Sequence, residues 1–473
     1  MTMSPQAKTD ALLVLNAGSS SLKFAVFALT GQGLVQRHDG QMEGIGAAPR
    51  FMLCDATGAK LAERTFTEAE APKDHQGALG VIPEASAAAI HRASLGLQID
   101  PGGLAAETGQ NAVVVPALVA AFRSAMQAPE HAQWLHFGAT SQDIMDTGLV
   151  LRLRQFLGIL DPRLREAVAA LGTLAEAHAE VPMAGRTYGQ IATPTSFGAV
   201  VAAWGQPLLA LLDRLGGLRG RLLWVSLSGA AGTLSAMGPR GPEVRAELAK
   251  ALGLSDPEAS WHSNRQAIAE LSGWLTQVAA QLGKIGQDLI LMTQSGIGEV
   301  ALPGSGGSST MPQKQNPVMP SVLAAIARQM VGLNSVMQGA ATHVQERDAT
   351  AWISEWMTLP QMCLATGRAA QFALDLAKGI APKPEAMLAN LDDGRGLIFA
   401  EALQFRLAAT LPRPEAQAEV KALCKEVASG GSLKNRAAAR WPDLDLAAVF
   451  DPASQLGEAP RIARRFANAA RNA

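Results

Sequence analysis

The sequence predicts a mainly α protein, a long-helix bundle with a small β-rich appendage at its N-terminal end. Three observations carry that expectation. From about residue 77 onward the chain is rich in alanine and leucine at helical spacing, whereas residues 11–70 hold short apolar runs cut by glycine. The stretch 264–295 keeps an apolar residue at every third or fourth position without a break. Apolar residues make up 48% of the 473 positions and charged residues 17%, which excludes intrinsic disorder as the dominant state and provides for a large buried core.

The elements follow in chain order. LLVLN (12–16) and LKFAVFAL (22–29) flank AGSSS, a Gly-Ser turn, and read as a hairpin. Helices are expected at 160–180, 196–215, Gly241–Leu252, 264–295 and 318–344. In 264–295 the apolar positions are Ile268, Leu271, Leu275, Val278, Leu282, Ile285, Leu289 and Met292, a heptad seam that ends before Gly296 and Gly298. At 1.5 Å per residue that helix spans about 48 Å, a length suited to bundles and helical oligomer cores. The last hundred or so residues are more polar and helical, punctuated by Pro382, Pro384, Pro412 and Pro414.

Composition narrows the function. Lys plus Arg total 40 and Asp plus Glu 41, so no global field favours a polyanion, and nucleic acid is not expected as a partner. Three cysteines, Cys54, Cys363 and Cys424, with no CxxC, fit a reducing compartment. The polar opening MTMSPQAKTD does not read as a signal peptide. The longest apolar run, 198–212, is interrupted by Gln206 and Pro207 and falls short of the ~18–20 residues that span a bilayer. A cytoplasmic protein without membrane contact is expected. The eight histidines show no HxxH or HExxH spacing, so neither a metal nor an organic cofactor is expected.

The chemistry is expected in the loop PGSGGSSTMPQKQNP, residues 303–317. Gly304, Gly306 and Gly307 loosen its first half, and Pro312 and Pro317 stiffen the second. The plain alternative is a flexible connector. Its order, however, matches GSSxMPxKxNP at eight fixed positions, and this loop resembles the signature of the fumarase/aspartase superfamily, which includes adenylosuccinate and argininosuccinate lyases. HFGATSQDIMDT (136–147) and GRTYGQIATPTSFG (185–198) resemble two further blocks of that superfamily in the expected order. Within it, GATSQDIMDTGLVLRLR (138–154), SGAAGTLSAMG (228–238), SWHSNR (260–265) and QERDATAWISEWMTLPQMC (345–363) resemble the 3-carboxy-cis,cis-muconate cycloisomerase family. The likeness covers about 77–473. It implies a truncated N-terminal helical domain at 77–141, a central bundle at 142–375 and a C-terminal helical domain at 376–473. It also implies a homotetramer whose active sites are shared between subunits.

What the resemblance implies about residues is specific. Enzymes of this superfamily make or break a bond beta to a carboxylate through a doubly charged aci-carboxylate, which needs fixed donors and a cation. Ser308 would transfer the alpha proton and Lys314 would supply the positive charge. Thr140, Ser141 and Gln142 would grip a carboxylate of a small polycarboxylate substrate, with Thr187, Tyr188, Asn316 and Arg347 as further binding residues. Local alternatives stand beside these roles. Thr140 and Ser141 suit a helix N-cap ahead of Ile144, Arg347 a surface charge, and His136 a packing histidine.

One substitution selects the reaction. Fumarases and adenylosuccinate lyases typically carry histidine where this chain has Tyr188, and that histidine handles the leaving-group proton. A carboxylate, with a pKa of about 4, leaves or attacks without proton help at neutral pH. The expected reaction is therefore intramolecular: carboxylate addition closes 3-carboxy-cis,cis-muconate to 4-carboxymuconolactone, in protocatechuate (beta-ketoadipate) breakdown. The alternatives are a fumarate-releasing lyase such as adenylosuccinate lyase, and a non-catalytic helical assembly protein. At the front, LLVLNAGSSSLKFAVF (12–27) resembles the start of acetate kinase, whose equivalents of Asn16, Ser19, Ser21 and Lys23 line a phosphoryl-transfer site. The second lobe that such a kinase needs has no counterpart in 77–473, so residues 1–76 read as a vestigial kinase-like fragment.

Overall fold

The computed structural model describes residues 11–17, 22–30, 33–43, 50–55, 57, 59–65, 81–304, 306–307, 310–311 and 313–473. The chain divides into two compact units. The first takes the residues up to Arg152 with Leu223–Asn264 and Gln345–Arg347; the second takes Leu153–Leu222, Arg265–Val344 and Asp348–Ala473.

In the first unit, strands Ala11–Ala17, Leu22–Thr30, Gly33–Glu43, Arg50–Asp55 and Lys60–Thr65 lie in one antiparallel sheet in chain order, with Ala17 opposite Leu22. Ser19 and Ser21 lie outside the described residues, as do the side chains of Asn16 and Lys23. Downstream, helices Glu84–Gly96 and Val115–Met126 precede the first turns of the helix Ser141–Ala177. A small apolar cluster of Leu227, Leu234 and Met237, packed on by Val81, Ala139, Val244 and Leu248, joins the stretch before that helix to the 223–264 segment. Gly138 is required there. Its φ is +70°, and an added Cβ would meet Met237 Cγ at 2.7 Å.

The second unit is the bundle. Its axis is the helix Gln266–Met292, packed against Val318–Ala340, Phe197–Leu222 and Ala349–Gly379. All eight seam positions, from Ile268 to Met292, are buried. The closest crossing is with Val318–Ala340. A Cβ on Gly283 would stand 2.3 Å from Ala327 Cβ, and one on Gly286 would stand 2.5 Å from the Pro320 carbonyl oxygen. The C-terminal helix Ala459–Arg471 packs back on Phe197–Leu222, where Phe466 occupies the space that a side chain at Gly205 would need. A separate cluster that includes Leu403, Leu407, Val420, Leu423 and Leu433 forms the C-terminal helical core.

Several elements run further than the periodicity indicated. The helix read from residue 160 begins at Ser141 and continues through Pro162. Its buried residues Val150, Leu153, Leu157, Leu160 and Leu164 keep one face across the proline, which is itself exposed. The helix Ala349–Gly379 likewise contains an exposed proline, Pro360, and was not marked by the sequence reading. An exposed proline removes one backbone bond without disturbing the buried stripe. The block 185–198 overlaps a hairpin, Pro182–Thr187 paired with Gln190–Ser196, that sequence patterning did not reveal. Among the described residues no helix is long and apolar enough to cross a membrane.

Candidate active site

In the first unit the candidate residues converge on one guanidinium. Thr140 stands just before the helix that opens at Ser141. Asp143 Oδ2 accepts from the Thr140 backbone N–H at 2.9 Å, the acid half of a capping box. The Thr140 hydroxyl oxygen accepts from Arg347 Nη1 at 2.7 Å. Arg347 Nε donates to Gln142 Oε1 at 3.3 Å, and Nη1 also reaches the Ala230 carbonyl at 3.5 Å. Gln142 is oriented in turn, donating from Nε2 to the His262 carbonyl at 3.0 Å and to Asp146 Oδ2 at 3.1 Å. Ser141, half-buried, is the first residue of the helix. These acceptors of Arg347 are all neutral oxygens. A guanidinium held this way is fixed in place without having its charge cancelled, and its planar fork suits a carboxylate.

Beneath this cluster lies Asp143, fully buried. It accepts from His262 Nε2 at 2.7 Å, Ser226 Oγ at 3.2 Å, and the backbone N–H groups of Ser228 and Gly229 at 2.9 and 3.0 Å. Burial by itself raises its pKa, but the bonds from His262, Thr140 and Gly229 outweigh burial and hold it below the ordinary aspartate value. His136, beside this segment, has its pKa lowered chiefly by burial.

In the second unit two features carry candidate residues. The first is the hairpin. Thr187 pairs with Gln190, so the turn is Tyr188-Gly189, and both have positive φ (+53° and +76°). Positive φ at both central residues is the geometry of a two-residue hairpin loop, and glycine follows the tyrosine as that turn prefers. Tyr188 is fully exposed and Thr187 is exposed beside it. Just below the tip, Arg186 Nη2 and Nη1 donate to Glu299 Oε1 and Oε2 at 2.7 and 3.1 Å, with the Glu299 side chain completely buried. The second feature is the signature loop. Gly306 pairs with Asn316 and Gly307 with Gln315 in a short antiparallel ladder, which closes the loop on itself. The Lys314 backbone N–H donates to the Met311 carbonyl at 3.0 Å, and Lys314 is exposed. Ser308 lies outside the described residues.

Thr140, Gln142 and Arg347 are thus joined by direct hydrogen bonds, Thr187 and Tyr188 share a turn, and Lys314 and Asn316 share a ladder-closed loop. Sequence reasoning missed Asp143, His262, Ser226 and the Arg186–Glu299 pair. Asp143 and His262 both lie within quoted blocks, TSQD and SWHSNR. Their pairing spans 119 positions and leaves no local periodic signal. Among the described residues no group of three or more His, Cys, Asp or Glu side chains is arranged to hold a metal ion.

Comparison with known proteins places the chain in a family of lyases. A family model, Lyase_1, described as lyase, matches residues 50–332, beginning upstream of residue 77. A 3-carboxy-cis,cis-muconate cycloisomerase of Pseudomonas aeruginosa is 38% identical over 394 residues, covering 80% of this chain and 85% of that protein. The crystal structure of the 3-carboxy-cis,cis-muconate lactonizing enzyme from Pseudomonas putida superposes with a TM-score of 0.78 at 35% identity, covering 83% of this chain and 90% of that one. A fumarate lyase from Mesorhizobium sp. BNC1 superposes with a TM-score of 0.77 at 33% identity, covering 83% of this chain and 91% of that one.

Proposed function

The chain belongs to the Lyase_1 family of lyases, and from that premise we propose that it is a cycloisomerase that closes 3-carboxy-cis,cis-muconate to 4-carboxymuconolactone. The observation that carries the reading is Arg347, held by Thr140, Gln142 and Ala230 through neutral oxygens, a receptor for one carboxylate of a polycarboxylate substrate. The choice of reaction rests on Tyr188. An attacking carboxylate needs no proton removed at neutral pH, so an aromatic residue can replace the imidazole that water- or amine-releasing lyases use.

A carboxylate oxygen of the substrate forms a C–O bond to the far carbon of a conjugated double bond. The displaced electron pair moves through the neighbouring carboxyl group as an aci-carboxylate, held by Lys314 and the N–H groups of the serine loop. Ser308 gives its proton to the alpha carbon and regains one from solvent. Gln142, Asn316, Thr187 and Ser141 orient the remaining carboxyl groups. The same reading has the enzyme act in aromatic-acid breakdown, in the cytoplasm, as a homotetramer with shared sites. Upstream of residue 50, where the Lyase_1 match begins, the chain resembles the start of acetate kinase and is read as an addition without phosphotransfer activity.

The test is optical. The purified full chain is expected to remove the ultraviolet absorbance of 3-carboxy-cis,cis-muconate. Ser308→Ala is expected to lower turnover by about 100-fold or more without changing the oligomeric state. The second reading, a fumarate-releasing lyase, is favoured by the likeness to the Mesorhizobium fumarate lyase. Fumarate release from adenylosuccinate with no loss of the muconate band would overturn the first reading in its favour.

A further inference from the structure

An aspartate–histidine couple beside a substrate site suggests a proton relay. The surroundings of His262 argue against one here. Its side chain is 1% exposed, Nε2 is committed to Asp143, and Nδ1 is buried with no hydrogen-bond partner among the described residues. A relay needs an acceptor or donor at the outer nitrogen, facing substrate or water. This imidazole ends inside the fold.

Asp143 is placed for a different task. Its carboxylate takes five donors from stretches 3 to 119 positions away: Thr140 N, Ser226 Oγ, Ser228 N, Gly229 N and His262 Nε2. Those stretches carry each acceptor that holds Arg347. Thr140 is bonded to Asp143 through its own N–H. Ala230 follows directly on Gly229, whose N–H ends on the same carboxylate. Gln142 adjoins Asp143 in the helix, and its amide is turned by the carbonyl of His262. The turn at 228–230 allows little slack. Gly229 has φ +74°, and an added Cβ would stand 3.1 Å from the Gly138 carbonyl oxygen.

We propose that Asp143, braced by His262, is the positioning residue that pre-sets the Arg347 carboxylate receptor and takes no part in proton transfer. The depressed pKa of Asp143 agrees, because only the ionised carboxylate accepts from all five donors at once. An amide at this position would turn an NH2 group toward backbone N–H groups and open the cluster. The inference rests on the reading of Arg347 as a substrate-binding residue, and its test separates the two.

The experiment uses the full chain and steady-state turnover of 3-carboxy-cis,cis-muconate, with a melting curve on every variant. Asp143→Asn is expected to raise KM about tenfold or more while kcat stays within about threefold. His262→Leu should do the same. His262→Gln, which keeps an N–H at similar reach, should return KM to within about threefold of the wild type. The solvent deuterium isotope effect on kcat should be the same in all of them. A fall in kcat with KM unchanged, or an altered isotope effect in His262→Gln, would overturn the proposal in favour of a relay. If Asp143→Asn melts below the assay temperature, the two His262 variants decide alone: equal KM values for Gln and Leu reject the brace. Arg347→Ala is the control. If it leaves KM unchanged, the receptor reading itself fails. If it raises KM while Asp143→Asn does not, only the positioning role fails. Should the wild type not turn over the muconate, calorimetric titration with succinate reads the same variants, and succinate affinity unaltered by Asp143→Asn refutes the proposal.

Discussion

Removing one member of the buried Arg265–Glu355 pair is expected to cost more stability than removing both. Arg265 Nε and Nη2 donate to Glu355 Oε1 and Oε2 at 2.9 and 2.6 Å, and the two side chains are 0% and 2% exposed. The pair ties the residue that precedes the Gln266–Met292 helix to the second turn of Ala349–Gly379. His343, also buried, brings Nε2 to 3.7 Å from Glu355 Oε1. Burial raises the Glu355 pKa, but His343 and Arg265 more than offset this and hold it below the ordinary value of 4.5. Glu355→Leu takes the bidentate carboxylate away from a buried guanidinium, a loss of about 3–5 kcal/mol. The double variant Arg265→Met/Glu355→Leu removes both desolvated charges and is expected near the wild type. At roughly 2 °C per kcal/mol for a large domain, the single variant should melt about 6–10 °C lower. Melting curves of the wild type, both single variants and the double variant close the cycle. A single variant within about 2 °C of the wild type, or a double variant below both singles, would refute the reasoning. The pH dependence has a definite sign. A carboxylate with a depressed folded pKa contributes stability that is fully present above its unfolded value of 4.5 and is lost as pH falls through the folded value. Glu355→Leu should therefore lose stability relative to the wild type at neutral pH and lose progressively less below pH 4.5.

Three further outcomes are expected. Gly286→Val places carbon atoms where the Pro320 carbonyl and Leu323 already stand, at 2.5 and 2.9 Å from the first added atom, and should destabilise the bundle by about 1–3 kcal/mol or more; an unshifted melting curve would contradict the close crossing. Desolvation pushes the thiol of half-buried Cys363 up to about 12, so Cys363 in the native protein should resist iodoacetamide at pH 8, as read by peptide mass analysis, and rapid labelling there would contradict that upward shift. Tyr188→Ala, at a fully exposed turn, should change stability by less than about 0.5 kcal/mol while raising KM; a large drop in melting temperature would show that the tyrosine packs within its own chain.

Much of the bundle was legible because its physics is local. An apolar residue every third or fourth position demands a buried stripe, and Ile268 through Met292 all lie in it. Gly241–Leu252 matches the sequence reading at both ends, since Pro242 and Gly253 mark the start and stop chemically. The helices that were shortened or missed, Ser141–Ala177 and Ala349–Gly379, contain prolines whose exposure no linear pattern reveals. The hairpin at 182–196 is short, and its Tyr-Gly turn hides tyrosine at an unusual positive φ.

By itself the sequence determined the residue types available for chemistry and the loop order that identifies the family, because a short motif preserves chemistry in consecutive positions. It also determined the apolar stripes of the bundle, since helical periodicity is written in neighbours. Only the tertiary structure decided that Arg347 donates to neutral oxygens, and that Asp143 and His262, 119 positions apart, close on each other beneath it. The reason is physical: the charge state and fixed geometry of a buried group depend on which distant donors and acceptors surround it, and those partners meet only when the chain has folded.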